Sequence, residues 1–166
     1  MKRLTLIRHA KSSWDDASLP DFDRPLGQRG LRDAPRIGAH LARSAPLPEK
    51  IISSPALRAI ATARLVAPEI AYPEDRIELE PRLYAASLQQ LLDVLHGFED
   101  NAQQIMIFGH NPGLERLARY LDPSFVGDGA KFPTCGVARM ELAASHWKQV
   151  TNGCAQKTEF IYPKTL

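Results

Sequence analysis

Gln104–Leu121, QIMIFGHNPGLERLARYL, is the stretch that decides the fold. Gln104–Phe108 is a short apolar run of the kind that forms a buried strand. Gly109-His110-Asn111-Pro112 breaks it with a sharp turn, since glycine and proline punctuate regular structure. Leu114, Leu117, Ala118 and Leu121 then recur at the spacing of one helix face, in a helix whose N-terminus begins near Asn111. A buried strand turning directly into an amphipathic helix is the building unit of a parallel sheet, provided the unit repeats.

It repeats on both sides. Upstream, Leu4–Ile7 reads as a first buried strand, followed by a polar loop from Lys11 to Gln28 containing Pro20, Pro25 and Gly27. Leu31, Ala34, Ile37, Gly38 and Leu41 come next at helical spacing, with Pro35 tolerable only in a first turn. Ala45-Pro46-Leu47-Pro48 ends that helix. Lys50–Ser53 reads as a second strand. Ser54 as cap and Pro55 as first helical residue would open a helix carrying Leu57, Ile60, Ala61 and Leu65. Ile77–Leu79 reads as a third strand, and Leu88, Leu91, Leu92 and Leu95 stripe another helix. Downstream the pattern changes: Gly136–Leu142 and Thr158–Tyr162 look like strands with no strong helix between them. The expectation is an α/β fold, a three-layer α/β/α sandwich in one domain over residues 1–166. Its sheet would be mostly parallel, with an antiparallel edge strand.

Composition narrows the function. The 166 residues include 21 basic and 19 acidic side chains, a formal charge of +2, with no run of like charge. That balance argues against nucleic acid or an anionic membrane as partner. The apolar run after Lys2 and Arg3 stops at Ile7, short of the roughly 7–15 residues of a signal peptide, and no window approaches the roughly 18 of a membrane span. Cys135 and Cys154 are the only cysteines, and a core of this size needs no disulfide. A cytoplasmic protein is expected.

Open α/β sheets bind ligands beyond the carboxyl ends of their strands. Three expected strand ends carry unusual residues: Arg8-His9 after the first, Ser53-Ser54-Pro55 leading to Arg58 after the second, and His110 after the strongest. Two histidines and two arginines therefore converge on one edge. Taken singly, each could be a surface ion pair or a satisfied structural residue. Together they suit phosphoryl transfer. A neutral imidazole is a nucleophile toward phosphorus, arginine meets equatorial phosphoryl oxygens with paired donors, and a second histidine adds a donor if protonated. No metal or cofactor is needed. Zinc ligation by His9 and His110 lacks a third ligand, and adjacent arginines would repel a cation. His40, His96 and His146 have no polar company in the pattern. Trp14 fits either the pocket mouth or plain packing, and Trp147 packing.

Leu6-Ile7-Arg8-His9-Ala10-Lys11-Ser12 resembles the R-H-G signature of the histidine phosphatase superfamily, which includes phosphoglycerate mutase-like proteins. Ser53-Ser54-Pro55-Ala56-Leu57-Arg58-Ala59, with Thr62-Ala63, resembles its S-x-x-x-R-A-x-x-T-A element, and Phe108-Gly109-His110-Asn111 its late histidine turn. The resemblance implies a phosphoglycerate mutase-like fold. It makes His9 the nucleophile that becomes a phosphohistidine, with Arg8, Arg58 and His110 as the phosphate pocket. Asp23-Arg24-Pro25-Leu26-x-x-Arg29-Gly30 and the R-H-A-K-S start are most similar to the SixA-type phosphohistidine phosphatases. Ser12, Arg29 and Asn111 are second-tier candidates for phosphate contact, although Arg29 could equally brace the helix beside it.

Two departures carry information. Ala10 replaces the signature glycine, which requires only a backbone without positive φ. More importantly, Leu83-Tyr84-Ala85 puts alanine where mutases and acid phosphatases of the superfamily carry a general-acid glutamate. An alkoxide leaving group depends on a proton donor, while a leaving imidazole is far less basic. The expected substrate is therefore phosphohistidine in a protein. A phosphomonoesterase acting on a small metabolite or nucleotide would need Asp15, Asp16 or Glu80 as proton donor. A non-catalytic phosphate-binding module would have no use for His9, and the Rossmann and P-loop glycine patterns are missing.

Overall fold

The structure is a computed structural model that describes every residue except Ala45, Asp128 and Ala130. Six strands form one sheet: β1 (Lys2–Arg8), β2 (Lys50–Ser53), β3 (Glu78–Leu79), β4 (Gln104–Gly109), β5 (Val137–Leu142) and β6 (Ala155–Ile161). Their order is β3-β2-β4-β1-β5-β6. The first four are mutually parallel, and β5 and β6 add an antiparallel edge. The helices are α1 (Gln28–Ala42), α2 (Leu57–Val66), α3 (Leu88–His96) and α4 (Gly113–Leu121).

Alternation along β4 divides the core. Ile105 and Ile107 face one way and pack with Leu91, Leu95, Leu114 and Leu117 of α3 and α4. Met106 and Phe108 face the other way, against Ala34, Ile37, Ile60 and Ala63 of α1 and α2. A strand covered on both faces must be apolar at every position, which is why β4 is so legible in the sequence. Trp147 is fully buried and belongs to the first of these clusters, so its packing role holds.

Several local expectations change. Pro35 is not in a first turn: α1 begins at Gln28, so the proline lies mid-helix. It forfeits only its own N–H bond, while buried Ala34, Ile37, Gly38 and Leu41 hold the helix down. Leu31 faces outward, 53% exposed. Of the segment expected to end α1, Ala45 lies outside the described residues. α2 starts at Leu57 with Ala56 as its cap; the Ser54 hydroxyl accepts the Ala56 N–H, ahead of the helix, and meets His110. The third strand shrinks to two exposed residues at the sheet edge.

Register sets up the site. Arg8 pairs with Gly109 and Ser53 with Phe108, so β1, β4 and β2 end side by side. The next residues stay in step: the His9 N–H donates to the Gly109 carbonyl and the Ser54 N–H to the Phe108 carbonyl, at 3.0 and 2.9 Å. The start of α1 is pressed against the loop after His9. A Cβ on Gly30 would lie 2.3 Å from the Lys11 carbonyl oxygen, so no larger residue fits there.

Candidate active site

The three strand ends bring His9, Arg8, Arg58 and His110 together. The His9 and His110 rings are 5.3 Å apart between centroids. His9 Nδ1 lies 2.8 Å from the Ala10 carbonyl, which can only accept, so Nδ1 carries the proton. Nε2 is then the bare lone pair, and Arg58 Nε donates to it at 3.3 Å. Ala10 is buried, has no positive φ, and donates its N–H to the Thr62 hydroxyl, so alanine in place of glycine causes no strain. Burial, followed by the charges of Arg58, Arg8 and Arg24, lowers the His9 pKa to about 4 against the pull of the Ala10 carbonyl. The ring is therefore uncharged at neutral pH.

His110 departs from the idea of a protonated donor. Burial first, then His9 and Arg58, lowers its pKa to about 3. Its Nε2 meets the Ser54 hydroxyl at 2.7 Å, and that same oxygen accepts the Ala56 N–H at 3.2 Å. Its Nδ1 is buried with no partner among the described residues, as are Arg8 Nε and Asn111 Oδ1. Buried polar atoms ordinarily find partners, so three orphans around one pocket are unusual. Arg8 Nη1 and Asn111 Nδ2 both donate to the Phe132 carbonyl, at 2.9 and 3.0 Å. α4 begins at Gly113 rather than Asn111, with Pro112 as its cap.

Sequence reasoning missed a second layer. Asp21, in a short 3-10 turn of the β1–α1 loop, grips Arg58 at both ends. Arg58 Nη1 donates to its carbonyl at 2.7 Å and Nη2 to its carboxylate at 3.0 Å. The Tyr84 hydroxyl donates to the same carboxylate oxygen at 2.7 Å, and the Tyr84 ring stands edge-on to His110. Tyr84, then Arg58 and Arg24, overcome partial burial and hold the Asp21 pKa at about 2. Arg24 is buried, donates to the Ser12 hydroxyl at 2.6 Å, and stacks under Trp14 at 3.6 Å. No local signal singles out Asp21: it is one aspartate in an acidic, proline-bounded loop, and only the return of that loop over Arg58 gives it a role.

The remaining candidates scatter. Ser12 is occupied by Arg24, and Arg29 is exposed with its hydrogen bond going to Thr134. Asp15 is exposed, its backbone N–H donating to the Ser13 hydroxyl. Asp16 is tied to Ser18, which lowers its pKa, and Glu80 is bound by Arg82 with the same consequence. Two histidines expected to lack polar company have partners: His96 meets the Val150 carbonyl and His146 the Asp100 carboxylate. Among the described residues, no three His, Cys, Asp or Glu side chains come together as metal ligands.

A doubly covered sheet that gathers a neutral histidine and converging arginines at the carboxyl ends of its strands defines a phosphoryl-handling α/β protein. Residues 4–91 match the model of the histidine phosphatase superfamily (branch 1), and the chain belongs to that family, whose membership supports phosphatase activity. Rv1276c, an uncharacterized protein of Mycobacterium tuberculosis, is 34% identical over 165 residues, covering 95% of this chain and 100% of its own. At3g52155, an uncharacterized chloroplastic protein of Arabidopsis thaliana, is 31% identical over 156 residues, covering 89% of this chain and 70% of its own. Among solved structures, an Agrobacterium tumefaciens protein assigned as a phosphohistidine phosphatase SixA superposes with a TM-score of 0.78 at 25% identity, over 98% of each chain. The protein histidine phosphatase SixA complexed with tungstate superposes at 0.81 with 22% identity, again over 98% of each. The phosphoglycerate mutase-like fold expected from the sequence is therefore the fold observed.

Proposed function

We propose that the chain, as one domain over residues 1–166, is a cytoplasmic, metal-independent phosphohistidine phosphatase acting on phosphorylated protein. His9 is the nucleophile. Its Nε2 attacks phosphorus in line, the P–N bond to the substrate imidazole breaks, and that imidazole takes up a proton from solvent water as it leaves. Water then hydrolyses phosphorylated His9, releasing inorganic phosphate and restoring the neutral ring. Arg58 and Arg8 hold the equatorial oxygens, where charge spreads as the transition state forms. The Arg8 Nε and His110 Nδ1 orphans are the donors best suited to the remaining oxygens, with Asn111 beside His110.

The observation that carries this reading is the His9 ring: uncharged, its Nδ1 proton committed to Ala10, and its Nε2 lone pair turned toward Arg58. The choice of a P–N substrate rests on the acids. Asp21, the carboxylate bound to Arg58, has its pKa at about 2 and is a poor proton donor. Asp16 and Glu80 are also held below their ordinary values, and Ala85 offers no acid. The SixA of the same fold, captured with tungstate, lends the reading support. Free, buried Cys135 and Cys154 suit a reducing compartment.

A phosphomonoesterase reading has one observation in its favour, namely that Asp21 lies within the pocket wall. An ester substrate would require that carboxylate to protonate, against Tyr84 and two arginines. One comparison separates the two: turnover of a phosphohistidine peptide, p-nitrophenyl phosphate and sugar phosphates, with a chelator present. Preference for phosphohistidine is the expected result. Preference for an alkyl phosphate would overturn the substrate assignment, and activity restored only by added metal would overturn metal independence.

A further inference from the structure

The phosphate pocket leaves Arg29 unused. It opens instead onto a cleft of about 320 Å³ between α1, Pro133-Thr134 and the C-terminal Tyr162-Pro163-Lys164. Arg29, Arg32 and Arg36 follow one another along α1 at intervals of three and four, so they share a helix face. Asp33, only 4% exposed, accepts from Arg32 Nε and Arg36 Nη1 with one oxygen, at 3.2 and 3.3 Å. It anchors those two guanidiniums side by side. Lys164 completes the set: four cations face one carboxylate, an excess of three.

That excess is local. The cleft under β1, β5 and β6 sets Arg3, Arg139 and Lys157 against Glu141 and Glu159, an excess of one. The cleft beside Tyr72 sets Lys50 and Arg76 against Glu49, Asp75, Glu78 and Glu99, a deficit of two. In a chain of net charge +2, three uncompensated cations in one cleft are a strong concentration.

The cleft also shares walls with the catalytic pocket. Thr134, which accepts from Arg29, precedes Cys135, whose N–H reaches the Arg8 and His9 carbonyls at 3.1 and 3.0 Å. At the start of α1, whose arginines line the cleft, the Gly27 N–H donates to the Lys11 carbonyl, two residues past His9, at 2.9 Å. The segment that lines the cleft is therefore bonded directly to the backbone that carries His9.

We propose that the cleft docks an acidic segment of the protein substrate, placing Asp or Glu carboxylates on Arg29, Arg32, Arg36 and Lys164 while the phosphoryl group lies at His9. The proposal rests on a phosphohistidine protein as the substrate. Carboxylates suit guanidinium forks, and the cations line one compact cleft rather than a stripe of the kind that tracks a nucleic-acid backbone. Exposed pairs of this kind act on encounter and are screened by salt, so the effect belongs in KM rather than kcat.

The test uses Arg29→Glu combined with Lys164→Glu, neither of which removes a partner of buried Asp33. Three readouts are taken. The first is fluorescence anisotropy of a labelled, unphosphorylated Asp/Glu-rich peptide. The second is hydrolysis of phosphohistidine peptides flanked by aspartates or by asparagines. The third is hydrolysis of p-nitrophenyl phosphate. The wild-type protein is expected to bind the acidic peptide in a salt-sensitive way and to favour aspartate flanks. The variant should lose that binding and raise KM for the aspartate-flanked substrate about tenfold, with p-nitrophenyl phosphate turnover unchanged. Equal turnover of both flanks, an equal loss on p-nitrophenyl phosphate, or tighter binding of an oligonucleotide than of the peptide would each overturn the docking site. Peptide binding lost in the variant, without any phosphohistidine hydrolysis by the wild type, would uphold the cleft and sink the substrate assignment instead.

Discussion

The turn from β4 to α4 and the loop from β1 to α1 each carry a histidine into the pocket from neighbouring strand ends, yet one spans residues 110–112 and the other residues 9–27. In the short turn the backbone places His110, because the strand register fixes Gly109 and α4 begins at Gly113, and the neighbouring Ser54 hydroxyl holds its ring. In the long loop His9 is aimed by the sheet as well, but the rest of the loop folds back over it. Its 3-10 turn returns Asp21 to Arg58, and its far end returns Arg24 to Ser12. A tight turn delivers one residue; a long loop delivers a residue together with the groups that orient its neighbours. The two histidines should consequently differ in what their loss costs.

The largest difference is in turnover itself. His9→Ala removes the atom that forms the covalent intermediate and is expected to lower kcat by about 10⁴-fold or more. His110→Ala removes one donor and is expected to cost about 10²–10³-fold. Steady-state kinetics with phosphohistidine peptide, alongside a rapid-quench search for phosphorylated His9, measures both. Equal, partial losses would erase the distinction between nucleophile and donor.

A smaller effect tests the folded-back loop. Asp21→Asn keeps a similar shape but removes the charge facing Arg58 and Arg24, so Arg58 loses its ion pair and keeps the Asp21 carbonyl. Loss of about ten- to a hundredfold in kcat/KM is expected, by misplacement of a group that remains present. No change would mean that the long loop merely covers the pocket.

The smallest effect is on stability, and both histidines contribute with the same sign. Each has a folded pKa well below 6.5, about 4 for His9 and about 3 for His110. Below pH 6.5 the unfolded chain therefore binds more protons than the folded one, and stability falls as pH drops toward 3. Urea unfolding at pH 7, 5 and 4 should show that decline, and His110→Asn should flatten it whatever the variant's stability at pH 7. An unchanged slope would mean that His110 is not held neutral in the fold.

Legibility followed the same division. β4, α4 and the Arg8-His9, Arg58 and His110 positions could be read because each depends on a local pattern: an apolar run, a helical spacing, a motif at a strand end. Pro35 and Ser54 were misplaced locally because packing overruled them. A helix with a buried face tolerates one missing bond, and a hydroxyl that meets His110 does not serve as the cap of α2. Arg29 was readable as a basic residue near the site, but the direction of its side chain was not.

The sequence by itself determined the strand–helix alternation, the antiparallel edge, and the histidines and arginines that gather at one end of the sheet. Those follow from periodicity and from the rule that parallel strands present their carboxyl ends together. Only the tertiary structure decided that Asp21 and Tyr84 hold Arg58, that His110 is neutral, and that Arg29 faces a cleft of its own. Each of those depends on burial and on contacts between residues far apart in the chain, from Asp21 with Tyr84 to Arg29 with Thr134. Desolvation and long-range hydrogen bonds exist only once the chain has closed on itself.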